Sequence, residues 1–234
     1  MRIAPDRIDR SLDALARSTA GSPELATALS SVVDSLRQVF SVTGAGLMLV
    51  DAESQLHYVA ATDTAAETLE RVQEDVGVGP CIDAFLTGSE TSTVDILVDA
   101  RYSAIAEAVT AVGIRAVLGV PVRLGAVAVG SLNVYCHEPY DWDDSEREAI
   151  QRYAALLASL LEAALSAHQR GQIVEQLQTA LDHRVSTERA IGYLMGRDGL
   201  DARAAFDRLR RVARSQRRTV REVSEELLQE AVGS

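Results

Sequence analysis

Every basic side chain among these 234 residues is an arginine: there are 23, and lysine is absent. That absence excludes several chemistries at once. A phosphate-binding loop with its lysine, a Schiff-base lysine and the nucleotide-binding lysine of a kinase strand all need an ammonium group. Phospho-receiver domains, which use a lysine beside the accepting aspartate, are excluded on the same ground. Asp51, directly after the apolar run Gly46–Val50, therefore reads as a strand terminus. What arginine does well is bridge phosphates through its planar fork and stack on splayed bases. Arg197–Arg221 holds nine arginines against three aspartates, whereas residues 1–170 carry 12 arginines against 24 acids. The whole chain has a formal charge of −11. An acidic body with a basic tail points to an anionic partner for the tail, nucleic acid above all.

Helical geometry sharpens the pattern. Counting from Ala202, the residues Phe206, Leu209 and Ala213 share one apolar face. Arg203, Arg210 and Arg214 fall at about 100°, 80° and 120° from Ala202, a single stripe flanking that face. Arg217 and Arg218 follow in the next turn. The plain alternative is a solvated face paired with acids, and Asp207 is the acid that adjoins the stripe. On the preceding helix Tyr193 stands between Arg189 and Arg197, placed either to stack on an unpaired base or to pack on the next helix.

The remaining reactive side chains are sparse. His57, His137, His168 and His183 are scattered with no i,i+4 pair, so no metal site is expected. Cys81, in a Gly-Pro-Cys segment, is either a small buried hydrophobe or a thiol opening into a pocket. With Cys136 it could form one bridge at most, and a reducing cytoplasm is the expected setting. No Ser/His/Asp or Cys/His signature is present, so no catalytic residues are expected, and the sequence specifies no cofactor.

The elements that must position these residues follow from periodicity. Leu25–Phe40 has helical spacing behind Ser22 and Pro23 as a start signal. Strand-like stretches occupy Ala45–Val50, Gln55–Ala61, Ala116–Val122 and Ala126–Tyr135, the last two joined as a hairpin through Arg-Leu-Gly. A capping box at Thr64–Glu67 opens a short helix to about Asp75. Gly77–Thr93 reads as a long loop, and a helix is expected near Ser103–Val112. Asp143–Glu146 is a second capping box. From it Ile150, Tyr153, Leu157, Leu160, Ala164, Ala167, Gly171 and Val174 step at heptad spacing. One continuous helix of about 50 residues to Gly196 is predicted, with Ile150, Tyr153, Leu157, Leu160, Ala164 and Val174 as an inter-chain seam; the alternative is two helices broken at Gly171. Gly199, Asp201 and the box Thr219–Glu222 delimit two short closing helices. The longest uninterrupted apolar run is seven residues, far short of the roughly 20 needed to span a bilayer, and Met1–Leu15 does not read as a secretory signal.

The tail resembles the ANTAR domain, a small three-helix RNA-binding module of bacterial transcription antiterminators. The residues that carry the likeness are Ala180-Leu-Asp-His-Arg-Val-Ser-Thr-Glu-Arg-Ala-Ile-Gly-Tyr-Leu-Met195, Ala204-Ala-Phe206, Leu209-Arg210, Ala213 and Arg217. Two departures are Ile191, where the family usually has a basic residue, and Ser224, where it commonly has alanine. The body resembles the GAF domain, a small-molecule sensor often fused to ANTAR in actinobacteria. The resemblance rests on Gly77-Val-Gly79-Pro80-Cys81-Ile-Asp83-Ala84-Phe85 with Gly88, Leu118-Gly-Val-Pro121-Val and Gly130-Ser-Leu-Asn133-Val.

These readings predict an N-terminal helical segment (1–20) and an α+β GAF domain (21–168) with an antiparallel sheet flanked by helices. A long coiled-coil helix and an all-α three-helix ANTAR domain (169–234) follow. The heptad seam predicts a homodimer, and the resemblance implies that it binds two-hairpin leader RNA, with Arg189, Ala190, Gly192, Tyr193, Arg197, Arg203, Arg210, Arg214, Arg217 and Arg218 as the candidate contacts. It also implies a small-molecule pocket near Cys81, Asp83 and Phe85, with no membrane association. Two rivals are a DNA-binding regulator and a GAF-type methionine sulfoxide reductase, for which two cysteines 55 positions apart are a poor set.

Overall fold

The computed structural model describes residues 5–19, 24–40, 42–51, 55–167 and 171–232. Ser22, Pro23 and His168 lie outside them. Among the described residues, β1 (Gly44–Val50), β2 (Leu56–Ala61), β3 (Thr91–Thr93), β4 (Ala116–Leu124) and β5 (Val127–Cys136) form one sheet. Its order is β2-β1-β5-β4-β3, and every neighbouring pair is antiparallel. Alternation along β5 divides the two faces. Leu132 and Val134 join one apolar cluster with α2 (Leu25–Val39) and α6 (Asp144–Ser166). Tyr135 joins a second cluster with Leu69 of α3 (Thr64–Val76) and Ile105 of α5 (Ser103–Ala111). Covered on both faces, β1 is buried at all seven positions. The N-terminal helix α1 (Pro5–Thr19) packs on α2 and α6.

Several boundaries differ from expectation, each for a physical reason. The segment Gly77–Thr93 is not a continuous loop, since it holds α4 (Pro80–Thr87) and β3. Pro80 takes the first helical turn, where its missing N–H costs nothing, and Gly88 ends the helix at φ 62°. The cap of α3 is Asp63 rather than Thr64: its carboxylate accepts from the Ala66 N–H. The Asp143/Glu146 box forms as expected.

The larger correction concerns the long helix. α6 ends at Ser166 and α7 (Gln172–Asp198) starts afresh with Gly171 as its cap, so the two-helix alternative describes this chain. The heptad residues Ile150, Tyr153, Leu157 and Ala164 are buried inside the chain itself, Val174 is buried near the start of α7, and Leu160 is half-buried. Tyr153 meets the Phe40 ring edge-on at 5.7 Å, and its hydroxyl lies 2.7 Å from Ser11 Oγ. Over a few turns a heptad seam and the inner stripe of a core-facing helix have the same spacing, so periodicity alone could not separate them.

The tail folds as three helices, α7, α8 (Ala202–Gln216) and α9 (Val220–Val232). Gly199 closes α7 in the left-handed conformation, Asp201 caps α8 by accepting from the Ala204 N–H at 2.7 Å, and Thr219 with Glu222 caps α9. Ala205, Phe206, Leu209 and Ala213 of α8 pack into the same apolar cluster as Ala190, Ile191 and Leu194 of α7 and Val220 and Val223 of α9. That cluster continues into the sheet, since α7 touches β1 and β5 and α8 touches α4.

Candidate nucleic-acid interface and sensor core

The three stripe arginines share one side of α8, and two of them, Arg203 and Arg210, lie against the body. Arg203 Nη1 stands 3.3 Å from both oxygens of Asp83 on α4. The Tyr102 hydroxyl donates to the same carboxylate at 2.9 Å. Burial raises the Asp83 pKa, and Arg203 and Tyr102 oppose that rise. Two turns further, Arg210 is half-buried with its guanidinium 5.9 Å above the Phe206 ring and pressed on Gly77. Gly77 ends α3 at φ 72°, and a methyl group there would come within 1.9 Å of Arg210 Nη1. Glycine is needed there for its backbone, whereas the tip of the arginine could swing aside for a methyl group. Burial and the neighbouring Arg214 hold the Arg210 pKa below its usual value, with Asp207 opposing.

The other tail residues divide by exposure. Arg189, Gly192, Arg197, Arg214 and Arg217 lie toward solvent, and Tyr193 and Arg218 are half-buried. Ala190 is fully buried and faces the tail core. The Arg197 guanidinium lies 5.1 Å over the Tyr193 ring while it pairs with Asp198. Arg208 shares Asp198, Arg218 pairs with Glu226, and Arg221 pairs with Glu225. Arg217 ends α8 at φ 55°, an uncommon backbone for a side chain of that size.

Beneath α4 lies a buried polar network. Cys81 is fully enclosed, its N–H donates to Gln73 Oε1 at 2.9 Å, and Gln73 Nε2 donates to Sγ at 2.7 Å. Asn133 Nδ2 donates to Glu70 Oε1 at 2.9 Å, and Ser131 Oγ donates to Asn133 Oδ1 at 2.7 Å. Burial pushes Glu70 up to about 7, against bonds from Asn133 and the Cys81 thiol. The Cys81 thiol is raised well above its usual range, first by burial and then by Glu70. This is a sealed thiol with little thiolate character. Cys136 is also free and buried. Phe85 is buried as well, so of Cys81, Asp83 and Phe85 it is Asp83 that pairs with a tail arginine. At the edge of the sheet His57 sits between Asp51 and Glu74, with Nε2 2.7 Å and Nδ1 2.6 Å from their oxygens. Burial disfavours the imidazolium, and the bonds and charges of Glu74 and Asp51 outweigh it, so the His57 pKa is raised. Asp51 follows β1 directly, as a strand terminus. Among the described residues no group of three His, Cys, Asp or Glu side chains is disposed to hold a metal ion.

Family models match the two halves in order: the GAF domain over residues 24–161 and the ANTAR domain over 175–228. The chain belongs to the GAF–ANTAR proteins. Solved GAF structures share its fold at low identity. The GAF domain of an Acinetobacter phosphoenolpyruvate-protein phosphotransferase is 17% identical with a TM-score of 0.58, covering 71% of this chain and 99% of that one. The corresponding domain from Coxiella burnetii is 17% identical with a TM-score of 0.57, covering 70% and 98%. A free methionine-R-sulfoxide reductase from Neisseria meningitidis, solved in complex with its substrate, is 17% identical with a TM-score of 0.55, covering 68% and 91%. No curated protein matches. Sensor and ANTAR domain together make a regulator architecture, and among the described residues no helix is long and apolar enough to cross a membrane.

The two departures from the ANTAR pattern are both core positions. Ile191 is buried among the tail helices, so its exchange for a basic residue takes no charge from the exposed face. Ser224 is fully buried, and its hydroxyl returns a bond to the Val220 carbonyl at 2.8 Å. Sequence reasoning overlooked Glu70 and Gln73, although they share the buried side of α3 with Ala66 and Leu69, a carboxylate and an amide on an otherwise apolar stripe. It also sought the partners of the arginine stripe along α8, whereas Asp83 comes from 120 residues away.

Proposed function

We propose that this GAF–ANTAR protein is a homodimeric cytoplasmic antitermination regulator that binds hairpin-bearing leader RNA through its ANTAR domain under control of the GAF domain. The observation that carries the reading is the ANTAR helix set with its exposed cations. Arg189, Arg197, Arg214 and Arg217 face solvent, Arg197 lies over the Tyr193 ring, and Arg203 and Arg210 extend the stripe toward the GAF domain. Arginine forks and an aromatic ring suit single-stranded loops of RNA. In the docked arrangement Asp83 competes with phosphate for Arg203, so RNA engages the whole stripe only when α8 leaves α4. GAF control acts through that contact. Neither buried cysteine is placed to cycle with substrate, which favours a regulator over a methionine sulfoxide reductase.

The experiment is a titration of a two-hairpin leader RNA and of a DNA duplex at several stated salt concentrations. RNA should bind more tightly, and Arg214→Ala with Arg217→Ala should reduce the salt slope by about 0.7–0.9 for each phosphate no longer engaged. Tyr193→Ala should cost roughly 1–3 kcal/mol with little salt dependence. Equal affinity for duplex DNA would favour the rival regulator.

A further inference from the structure

Between the two domains lies a cavity of about 250 Å³, its GAF wall formed at the ends of β2 and α3 and the start of α4, its ANTAR wall by α8. Its apolar floor is Leu56, Ile82, Phe85 and Phe206, and the cations that face it are Arg210 and Arg214. These are one turn apart on α8, and burial first and the charge of Arg214 second lower the pKa of Arg210. Arg203, Arg208 and Arg218 each have an acidic partner; among the described residues, the side chains of Arg210 and Arg214 make no ion pair or hydrogen bond. For an exposed arginine that is ordinary. For half-buried Arg210 it leaves guanidinium donors that face the cavity and no protein acceptor. Across the cavity Glu74 is turned to His57 and to the Tyr58 N–H, and Asp75 stands at the rim.

We infer that this inter-domain cavity is a binding site for a small monocarboxylate carried on an apolar, aromatic-sized body. The guanidinium fork matches a carboxylate in plane and in charge. The four apolar side chains of the floor suit a ring, a combination typical of small-molecule sites. Glu74 and Asp75 on the opposite wall repel polyanions and so weigh against inorganic phosphate. Because the walls come from both domains, the bound carboxylate ties α8 to the GAF domain and stabilises the docked state by its own binding energy. This site does not depend on the RNA reading, since it is built from the docked arrangement alone.

The test uses the full chain and no RNA. Phenylacetate, its neutral isostere phenylacetamide and inorganic phosphate are each titrated calorimetrically into wild type, Arg214→Ala and Asp75→Asn. Phenylacetate should give a saturable isotherm and should bind at least about tenfold more tightly than phenylacetamide or phosphate, since one charge-assisted contact is worth that factor. Arg214→Ala should weaken phenylacetate about tenfold, and Asp75→Asn should tighten it. Both positions are exposed, and thermal unfolding of each variant reports whether it is folded. The inference is overturned if phenylacetate gives no saturable heat. It is equally overturned if phenylacetamide binds as well, or if neither substitution moves the affinity of a folded variant. Because RNA is absent throughout, a null result here leaves the antitermination reading standing, and a failure to bind RNA leaves this one standing.

Discussion

Asp83 and Arg203 meet at 3.3 Å across 120 residues of chain, joining α4 of the sensor to the helix that carries the tail's cationic stripe. Asp83→Asn keeps the shape and an acceptor for the Tyr102 hydroxyl while removing the charge that holds Arg203. The expected outcome is faster amide exchange in Ala202–Gln216 and RNA affinity higher by about tenfold, a coupling of ordinary size. Unchanged exchange and unchanged affinity together would show that the contact does not restrain the tail.

Glu70 sets a pH dependence of stability. Its folded pKa of about 7 lies above the ordinary 4.5, so between those values the folded state holds more protons than the unfolded chain. Stability contributed by this group is therefore full below about pH 4.5 and lost as pH rises through 7, a cost of about 3 kcal/mol at higher pH. Glu70→Gln should flatten that slope and raise the denaturation midpoint above pH 7. Urea unfolding at pH 5, 6.5 and 8 measures it.

The His57 pKa is raised in the folded state, so its ion-pairing contribution is fully present below the ordinary 6.5 and disappears as pH rises through the folded value. Replacing Glu74 by glutamine should bring the His57 titration down toward 6.5 in an NMR pH series. If the midpoint does not move, Asp51 carries the shift by itself.

Leu157 and Leu160 separate the core from any seam between chains. Leu157 is fully buried, and Leu157→Ala should cost about 2–5 kcal/mol by denaturant unfolding whatever the oligomeric state. Leu160 is half-buried, so Leu160→Glu should leave the fold intact. If α6 forms the proposed dimer, light scattering of Leu160→Glu should report monomers.

Much of this architecture was legible in the residues, because caps and alternation are local signals. Asp201, Gly199, Thr219 and Glu222 end or begin helices by bonds to atoms three or four residues away, and the Ala116–Tyr135 hairpin is set by its own turn. The arginine stripe was visible for the same reason. What faces it was not, since the pairing of Arg203 with Asp83 is tertiary and leaves no trace in the spacing of either segment. The heptad from Ile150 failed as a continuous helix through a related ambiguity. Apolar residues state that something covers them, and they do not state whether the cover is a second chain or, as for Tyr153, Phe40 and Ser11 of the same one.

The apolar cluster that passes from the sheet into the tail without a break bears on how this protein responds to heat and to cutting. Modules with separate cores melt in separate steps, but a shared interior makes the loss of either half expensive for the other. Calorimetry should therefore record one endotherm for the whole chain. A tail excised and grafted onto a foreign sensor would arrive with one side of Phe206 stripped of the wall that holds Ile82 and Phe85, so the new host would have to supply a matching surface and not merely a linker.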